Sequence, residues 1–343
     1  MGIKIRNRYI DIVKGLLIIV VVLRHVFQSA SSNSDIDYLC NLMAIVEMPL
    51  FIALSGYFCL PKLTSENQML SVLVKFKKIT IAYLVPFFSY YIIFRLFFYQ
   101  YYKDMDSIFD IFSNISLSLW YLFVIWILNI FALIGYHITK KYFKKGYLNY
   151  ISFIVIFLGL VGIFLFIGIK TNINFGGCKL AVYYSVYYLL GYLFKCFEDE
   201  VFVLYNRFKE VLVFISYIVY FFGSARIKVM AVPDNGLFII LRTILALAGI
   251  VVFLSVTYAI YCKSSCKYIE KIGVRTLEIY YVHSFLMNIL DVEKTSLLMS
   301  TGGIINVLIL TMFVCIGCYS IISIINVNAI TAFVIFGKTN RTR

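Results

Sequence analysis

The chain reads DIVKGLLIIVVVLRHVF over residues 11–27, an apolar run close to the length needed to cross a lipid bilayer. It contains three residues that a simple membrane anchor does not need: Lys14, Arg24 and His25. A charged side chain at the centre of a membrane helix costs roughly 2.5–3.5 kcal/mol on insertion scales. We therefore predict that this segment spans the membrane and also carries a function. The same charges argue against a cleaved leader peptide. The length of the apolar run also argues against it, because the apolar region of a leader is shorter.

The composition of the whole chain indicates an integral membrane protein. Of its 343 residues, 62% are hydrophobic and 14% are charged, and the mean hydropathy is +0.92. A soluble domain has about 45–50% apolar and about 25% charged residues. The eight cysteines lack the paired spacing of a zinc site, so we expect reduced thiols and no bound metal or resident cofactor.

The apolar residues form continuous runs instead of alternating, which predicts an all-α protein rather than a membrane barrel. We predict ten transmembrane helices within a single multispan domain over residues 1–343, with no appended soluble domain. The predicted spans are 9–28, 39–60, 79–99, 115–136, 149–169, 178–196, 210–225, 236–261, 272–290 and 303–327.

Lysine and arginine are distributed unevenly between the two sets of connecting segments. Of the 31 basic residues, 20 lie in the terminal segments and every second loop, and six lie in the remaining loops. Because basic residues accumulate in cytoplasmic loops, this predicts cytoplasmic N- and C-termini, in agreement with an even number of spans. The net charge of +14 is thus a signal of topology, and we expect membrane lipids as neighbours and no nucleic-acid partner.

Lys14 and His25 are 11 residues apart, which on an α-helix is about 20° from three full turns. Both side chains therefore lie on one helical face, separated by roughly 16 Å along the axis. Two interpretations are open. In one, Lys14 extends to the lipid headgroups and His25 caps the far end of the helix. In the other, the two residues line a polar face that connects both sides of the membrane.

Several stretches, in this order along the chain, resemble the acyltransferase-3 family of membrane O-acyltransferases. The first is RYIDIVKGLLIIVVVLRH, in which Lys14 and His25 match a basic residue and a histidine of the family, and the second is MPLFIALSGYF at residues 48–58. LWYL at 119–122, YYLLGYLFK at 187–195 and IGVRTLEIYYVH at 272–283 follow. Glu47 stands where many members have His, Arg24 where Gly is common, and Thr276 replaces the usual Ser.

The resemblance implies transfer of an acyl group, usually acetyl from acetyl-CoA as co-substrate, to a sugar hydroxyl of a cell-surface polysaccharide or its lipid-linked precursor. Lys14 is expected to bind the anionic donor, and His25 to act as general base or to form an acyl-histidine. Glu47 is expected to orient or charge-balance His25, as carboxylates do in triads. The amino-acid usage is typical of a bacterium, so the expected location is the bacterial cytoplasmic (inner) membrane.

Other polar or aromatic residues are candidates for substrate binding, and each has a structural alternative. Arg24 is a candidate because it replaces the glycine that is common before the histidine in the family, a departure that could alter the choice of acceptor. Arg275 and His283 lie close to one helical face, but each could simply pair with Glu278 or a backbone carbonyl. Trp120 and Tyr121 could stack on a sugar or on the donor, or belong to an aromatic belt.

The alternative function is a glycan exporter or flippase, in which the same polar face would line a passage. Transporters often contain repeated halves with interrupted helices, and no repeat is visible in this sequence. The Lys14–His25 spacing and the family motifs favour the enzyme.

Overall fold

The computed structural model describes residues 7–30, 38–59, 70–97, 119–143, 147–170, 177–226, 236–289 and 301–338. These residues are almost entirely helical, and none of them forms a strand. This confirms the all-α prediction. The helices are α1 (Arg8–Ala30), α2 (Tyr38–Tyr57), α3 (Leu70–Phe97), α4 (Trp120–Tyr142), α5 (Tyr147–Lys170), α6 (Cys178–Cys196), α7 (Glu198–Ser224), α8 (Gly236–Lys263), α9 (Lys267–Val274), α10 (Thr276–Ile289), α11 (Thr301–Ile325) and α12 (Ala329–Phe336).

Six of the described helices are long and apolar enough to cross a membrane: α2, α3, α4, α5, α8 and α11. Their outward surface is apolar, as the exposed Ile92 of α3, Ile163 of α5 and Met312 of α11 illustrate, whereas the polar Glu47 of α2 is buried. A soluble protein shows the opposite arrangement. The protein is therefore a multi-pass membrane protein. The count of ten spans and the cytoplasmic termini stay predictions, and several basic loop residues behind them, including Lys62 and Lys144, lie outside the described residues.

Two of the predicted spans differ from the helices that the structure contains. The short span predicted at 210–225 belongs to a longer helix, α7, of 27 residues. The span predicted at 272–290 is not one continuous helix, because the chain breaks at Arg275 between α9 and α10. The backbone N–H of Arg275 donates to the carbonyl of Ile272, which tightens the last turn of α9 and ends it. The prediction of one uninterrupted helix there was wrong.

The described residues pack into two compact units. The first unit comprises Met1–Phe51 and Glu200–Ile324, and the second comprises Ile52–Asp199 and Ile325–Arg343. In the first unit, α1 packs against α8, α9 and α10. The contact between α1 and α9 is so close that a Cβ atom on Gly273 would lie 1.7 Å from the carbonyl oxygen of Asp11. Glycine permits this approach because it has no Cβ.

Tyrosine hydroxyls hold α2 against α7 within the first unit. Tyr38 donates to the backbone carbonyl of Phe221 over 2.8 Å, and Tyr220 donates to that of Leu42 over 2.7 Å. Gly249 of α8 lies against the side chains of both Val46 and Tyr220. These contacts fix the first part of α2, which carries Glu47, among the other helices of this unit.

In the second unit, α4 packs against α3, α5 and α6, while α12 packs against α3. The last turns of α2 cross α6 at two glycines that belong to the quoted motifs. A Cβ atom on Gly56 would lie 1.9 Å from the carbonyl oxygen of Tyr188, and one on Gly191 would lie 1.8 Å from that of Ala53. The Ser-Gly-Tyr and Leu-Gly-Tyr motifs thus mark a helix crossing at which only glycine fits.

Candidate active site

Two histidines from different helices lie side by side in the first unit. His25 is near the end of α1 and His283 is in the middle of α10, two helices that pack together. Their ring centroids are 5.3 Å apart, with an angle of 43° between the ring planes. His283 is buried, whereas His25 is only partly buried. The structure therefore brings together two of the predicted site residues that are far apart in the sequence.

A buried ion pair adjoins the histidines. Arg24 of α1 donates a hydrogen bond from Nε to Oε1 of Glu47 on α2, over 2.5 Å. The side chains of Arg24 and Glu47 are 13% and 1% exposed, respectively. Among the described residues, the second carboxylate oxygen of Glu47, Oε2, has no hydrogen-bond partner. Glu47 thus neutralises Arg24 in the interior of the first unit.

Arg24 also contacts the ring of His25. One of its terminal nitrogens, Nη2, lies 3.3 Å from Nε2 of His25. A guanidinium group donates hydrogen bonds and accepts none, so Nε2 of His25 is the acceptor and carries no proton. The proton of the neutral ring therefore resides on Nδ1, and the side chain of Gln28 lies within hydrogen-bonding reach of the same ring. This arrangement leaves a basic lone pair on Nε2.

His283 has the same tautomer for a different reason. Its Nδ1 lies 2.9 Å from the backbone carbonyl oxygen of Ile279, one helical turn earlier. A carbonyl only accepts, so Nδ1 donates and Nε2 of the neutral ring keeps its lone pair. The pair of imidazoles consequently offers two nitrogens that can accept a proton.

The expectation that Glu47 orients His25 takes a more indirect form in the structure. The hydrogen bond that the structure shows for Glu47 goes to Arg24, and Arg24 in turn faces His25. Sequence reasoning missed Gln28 as a neighbour of His25, although its position three residues further along a helix was a sufficient signal.

Lys14 lies on the same helix but away from the histidines. Its ammonium group is 2.8 Å from Oδ1 of Asp11, one turn earlier, and its side chain is 25% exposed. Asp11 is itself buried, and its backbone carbonyl is the group that Gly273 of α9 approaches closely. Lys14 is thus held by a carboxylate, with part of its side chain accessible.

The side chain of Arg275 is held by two residues of α11. Its Nη1 donates to Oγ of Ser323 over 3.2 Å, and its guanidinium carbon is 4.6 Å from the centre of the Tyr319 ring. Arg275 stands at the break between α9 and α10, which explains how a cation can be accommodated within the predicted ninth span. These contacts are compatible with a purely structural role.

Trp120 and Tyr121 belong to the second unit. The Trp120 ring stacks on Tyr184 with centroids 5.3 Å apart, and the hydroxyl of Tyr121 is 3.5 Å from Oγ of Ser55. One face of the Trp120 ring is therefore covered by a tyrosine.

The second unit contains a further polar cluster at the end of α6. The Tyr57 hydroxyl donates to Oε1 of Glu198 over 2.8 Å, and Lys195 contacts Oε2 of the same carboxylate. The ammonium group of Lys195 also lies 5.0 Å from the centre of the Tyr57 ring. Burial acts to raise the pKa of Glu198, but the hydrogen bonds from Lys195 and Tyr57 outweigh it and hold this pKa below its ordinary value.

A comparison with models of known protein families gives a match over most of the chain. The model of the acyltransferase-3 family, described as an acyltransferase domain, matches residues 7–323. The chain belongs to the acyltransferase-3 family. No curated protein and no solved structure matches it. This acyltransferase-3 protein is therefore a membrane acyltransferase, and its Lys14, Arg24, His25, Glu47 and His283 all lie within the matched region.

Proposed function

We propose that this protein is an O-acyltransferase that moves an acetyl group from acetyl-CoA to a sugar hydroxyl of a cell-surface polysaccharide or its lipid-linked precursor. The proposed location is the bacterial cytoplasmic membrane. The observation that carries the proposal is the partly buried His25, whose Nε2 has a lone pair beside a buried cation. A sugar hydroxyl is a weak nucleophile near neutral pH and needs such a base.

The reaction follows from the donors and acceptors at His25. Nε2 of His25 accepts the proton of the sugar hydroxyl as the oxygen attacks the thioester carbonyl, and a C–O bond forms. The C–S bond of the thioester then breaks, and the leaving thiolate takes the proton from Nε2. His25 thus returns to its starting state without any net change in charge. His283, whose Nε2 also keeps its lone pair, is the alternative base in the same pair.

Lys14 is the proposed contact for the donor. Acetyl-CoA carries several phosphate charges, and a lysine that is partly accessible attracts them by charge and by hydrogen bonding. Because Lys14 is roughly 16 Å along α1 from His25, the phosphates and the reacting thioester of one extended donor could lie at opposite ends of this helical face.

The test is replacement of His25 by Gln, which keeps a hydrogen-bonding side chain of similar size but cannot act as a base. Loss of a general base costs about 10²–10⁴-fold in rate. Mass spectrometry of surface glycans should therefore show that the base-labile acetyl groups made by the wild type are lost with His25→Gln. His283→Gln is the comparison variant: if His25 is the base and His283 only packs against it, this variant should lose part of the acetylation and be less stable.

Two results would contradict the proposal. Wild-type acetylation by His25→Gln, with normal amounts of protein in the membrane, would exclude base catalysis by this residue. Disappearance of the whole glycan from the surface of His25→Ala cells would instead support the exporter. Ping-pong kinetics with a purified sugar acceptor would indicate the acyl-histidine route in place of direct transfer.

A further inference from the structure

Arg24 occupies an unusual position, since a single guanidinium group contacts both an acid and an imidazole. Its Nε is 2.5 Å from Oε1 of Glu47, and its Nη2 is 3.3 Å from Nε2 of His25. Glu47 is almost completely buried, and Arg24 is largely buried. The planar, fork-like guanidinium is the side chain best suited to make two such contacts in fixed directions.

The ion pair is costly in this environment. A charged residue inside a membrane helix is unfavourable by roughly 2.5–3.5 kcal/mol on insertion scales, and a leucine at position 24 would avoid this cost. Ionisable residues inside membrane segments therefore usually serve a function. Because Arg24 directs one end of its guanidinium at the candidate base, its function is best sought at His25.

We propose that Arg24 is a positioning residue for the acyl transfer, held in place by Glu47, and that its guanidinium orients the His25 ring with Nε2 as the basic nitrogen. This rests on the proposed function, in which His25 accepts the proton of the acceptor hydroxyl. Arg24 was expected to bind substrate and Glu47 to contact His25 directly. The proposal instead gives the two residues one joint role, which is to orient His25.

The positioning follows from what each group can donate and accept. As long as Nη2 points at Nε2, a proton on Nε2 would face another donor, so the ring keeps its proton on Nδ1. The incoming sugar hydroxyl is also a donor and takes the place of Nη2 at Nε2. The hydroxyl proton then passes to Nε2, the C–O bond forms and the C–S bond breaks, and the thiolate receives that proton. Arg24 itself neither gains nor loses a proton.

Exchanging the charges of Arg24 and Glu47 tests whether the pair orients His25 or has only a structural role. The double variant Arg24→Glu/Glu47→Arg keeps one cation and one anion at the same two sites. However, it places a carboxylate, which only accepts hydrogen bonds, beside Nε2 of His25. This favours the tautomer with the proton on Nε2, in which Nε2 cannot accept the proton of the hydroxyl. We expect the double variant to fold like the wild type but to transfer acetyl groups about 10²-fold more slowly, as for other misplaced catalytic groups.

Arg24→Lys provides a second measurement that does not depend on the folding of the double variant. Its ammonium group can still pair with Glu47, but it lacks the second arm that reaches Nε2. We expect kcat to fall by about 10²-fold while the KM values for donor and acceptor change little. Arg95→Lys is the matched control, because it makes the same substitution at an arginine of α3 that donates to Tyr91 of its own helix.

The measurements are acetyl transfer and thermal unfolding of the purified proteins in detergent. A folded but slow charge-exchange variant, together with a slow Arg24→Lys and an active Arg95→Lys, would support the positioning role. Wild-type kcat in either Arg24 variant would overturn it, because the ion pair would then be only structural. If the wild type itself transferred no acyl group, the proposed function would fail and this inference with it.

Discussion

The close contact between α1 and α9 gives a prediction about stability that can be worked out from distances. In Gly273→Ala, the new Cβ atom would lie 1.7 Å from the carbonyl oxygen of Asp11, whereas ordinary contacts at a Cβ begin at 3.4 Å. The two backbones would have to separate by about 1.7 Å, since the atom being approached belongs to the backbone and cannot rotate away.

The expected cost follows from two opposing effects. Overpacking of a well-packed interior typically costs about 1–3 kcal/mol, and two rigid helices place this case at the upper end. Alanine in a helix is favoured over glycine by about 0.5–1 kcal/mol, which offsets only part of the loss. Gly273→Ala should therefore be destabilised by about 2 kcal/mol and should show reduced acyl transfer, because α1 carries both Lys14 and His25.

The control for this prediction is Gly159→Ala in α5. A Cβ atom there would meet nothing within 4 Å, so only the gain in helix propensity applies. Both variants would be produced as fluorescent fusions, and their thermal unfolding in detergent would be compared with that of the wild type. Equal melting temperatures for Gly273→Ala and Gly159→Ala would refute the close contact between α1 and α9.

Three further predictions concern topology, the donor and pH. Reporter fusions at Lys62, Lys144, Lys209 and Lys263 should read cytoplasmic, and fusions near Asp35, Asp106, Asn174 and Asp291 should read external; inverted readings over the later spans would exclude the even count. Lys14→Arg should remain active, because it keeps the positive charge. The double variant Lys14→Ala/Asp11→Asn should raise the KM for acetyl-CoA, and its second substitution avoids leaving a buried carboxylate unpaired. An unchanged KM would show that Lys14 does not contact the donor. Because the pKa of Glu198 is depressed in the folded state, its stabilising effect is present above the ordinary pKa of 4.5 and is lost as the pH falls through the lower, folded-state pKa. The difference in melting temperature between the wild type and Glu198→Gln should therefore disappear only in acid. A difference that persisted in acid would contradict the pairing of this carboxylate with Lys195 and Tyr57.

The sequence alone was sufficient for features that depend on local composition and helical periodicity. Membrane insertion follows from long apolar runs, because every backbone polar group must find its hydrogen bond within the helix. The shared face of Lys14 and His25 follows from the helical repeat, and both lie on the continuous α1. The order of the motifs was sufficient to indicate the family, which the match over residues 7–323 confirms.

Only the tertiary structure decided which side chains meet. His25 and His283 are far apart in sequence, and no local pattern predicts that their rings approach to 5.3 Å. The pairing of Arg24 with Glu47 was likewise missed, because its 23-residue separation spans a connection between two helices whose relative rotation is set by packing. The break at Arg275 was not predicted because the residues on either side of it form one largely apolar run. The contacts made at the break, of Gly273 with α1 and of Arg275 with α11, involve segments that are distant in the sequence. Hydrophobicity and periodicity specify a helix and its face, but the partners of that face depend on contacts between distant segments.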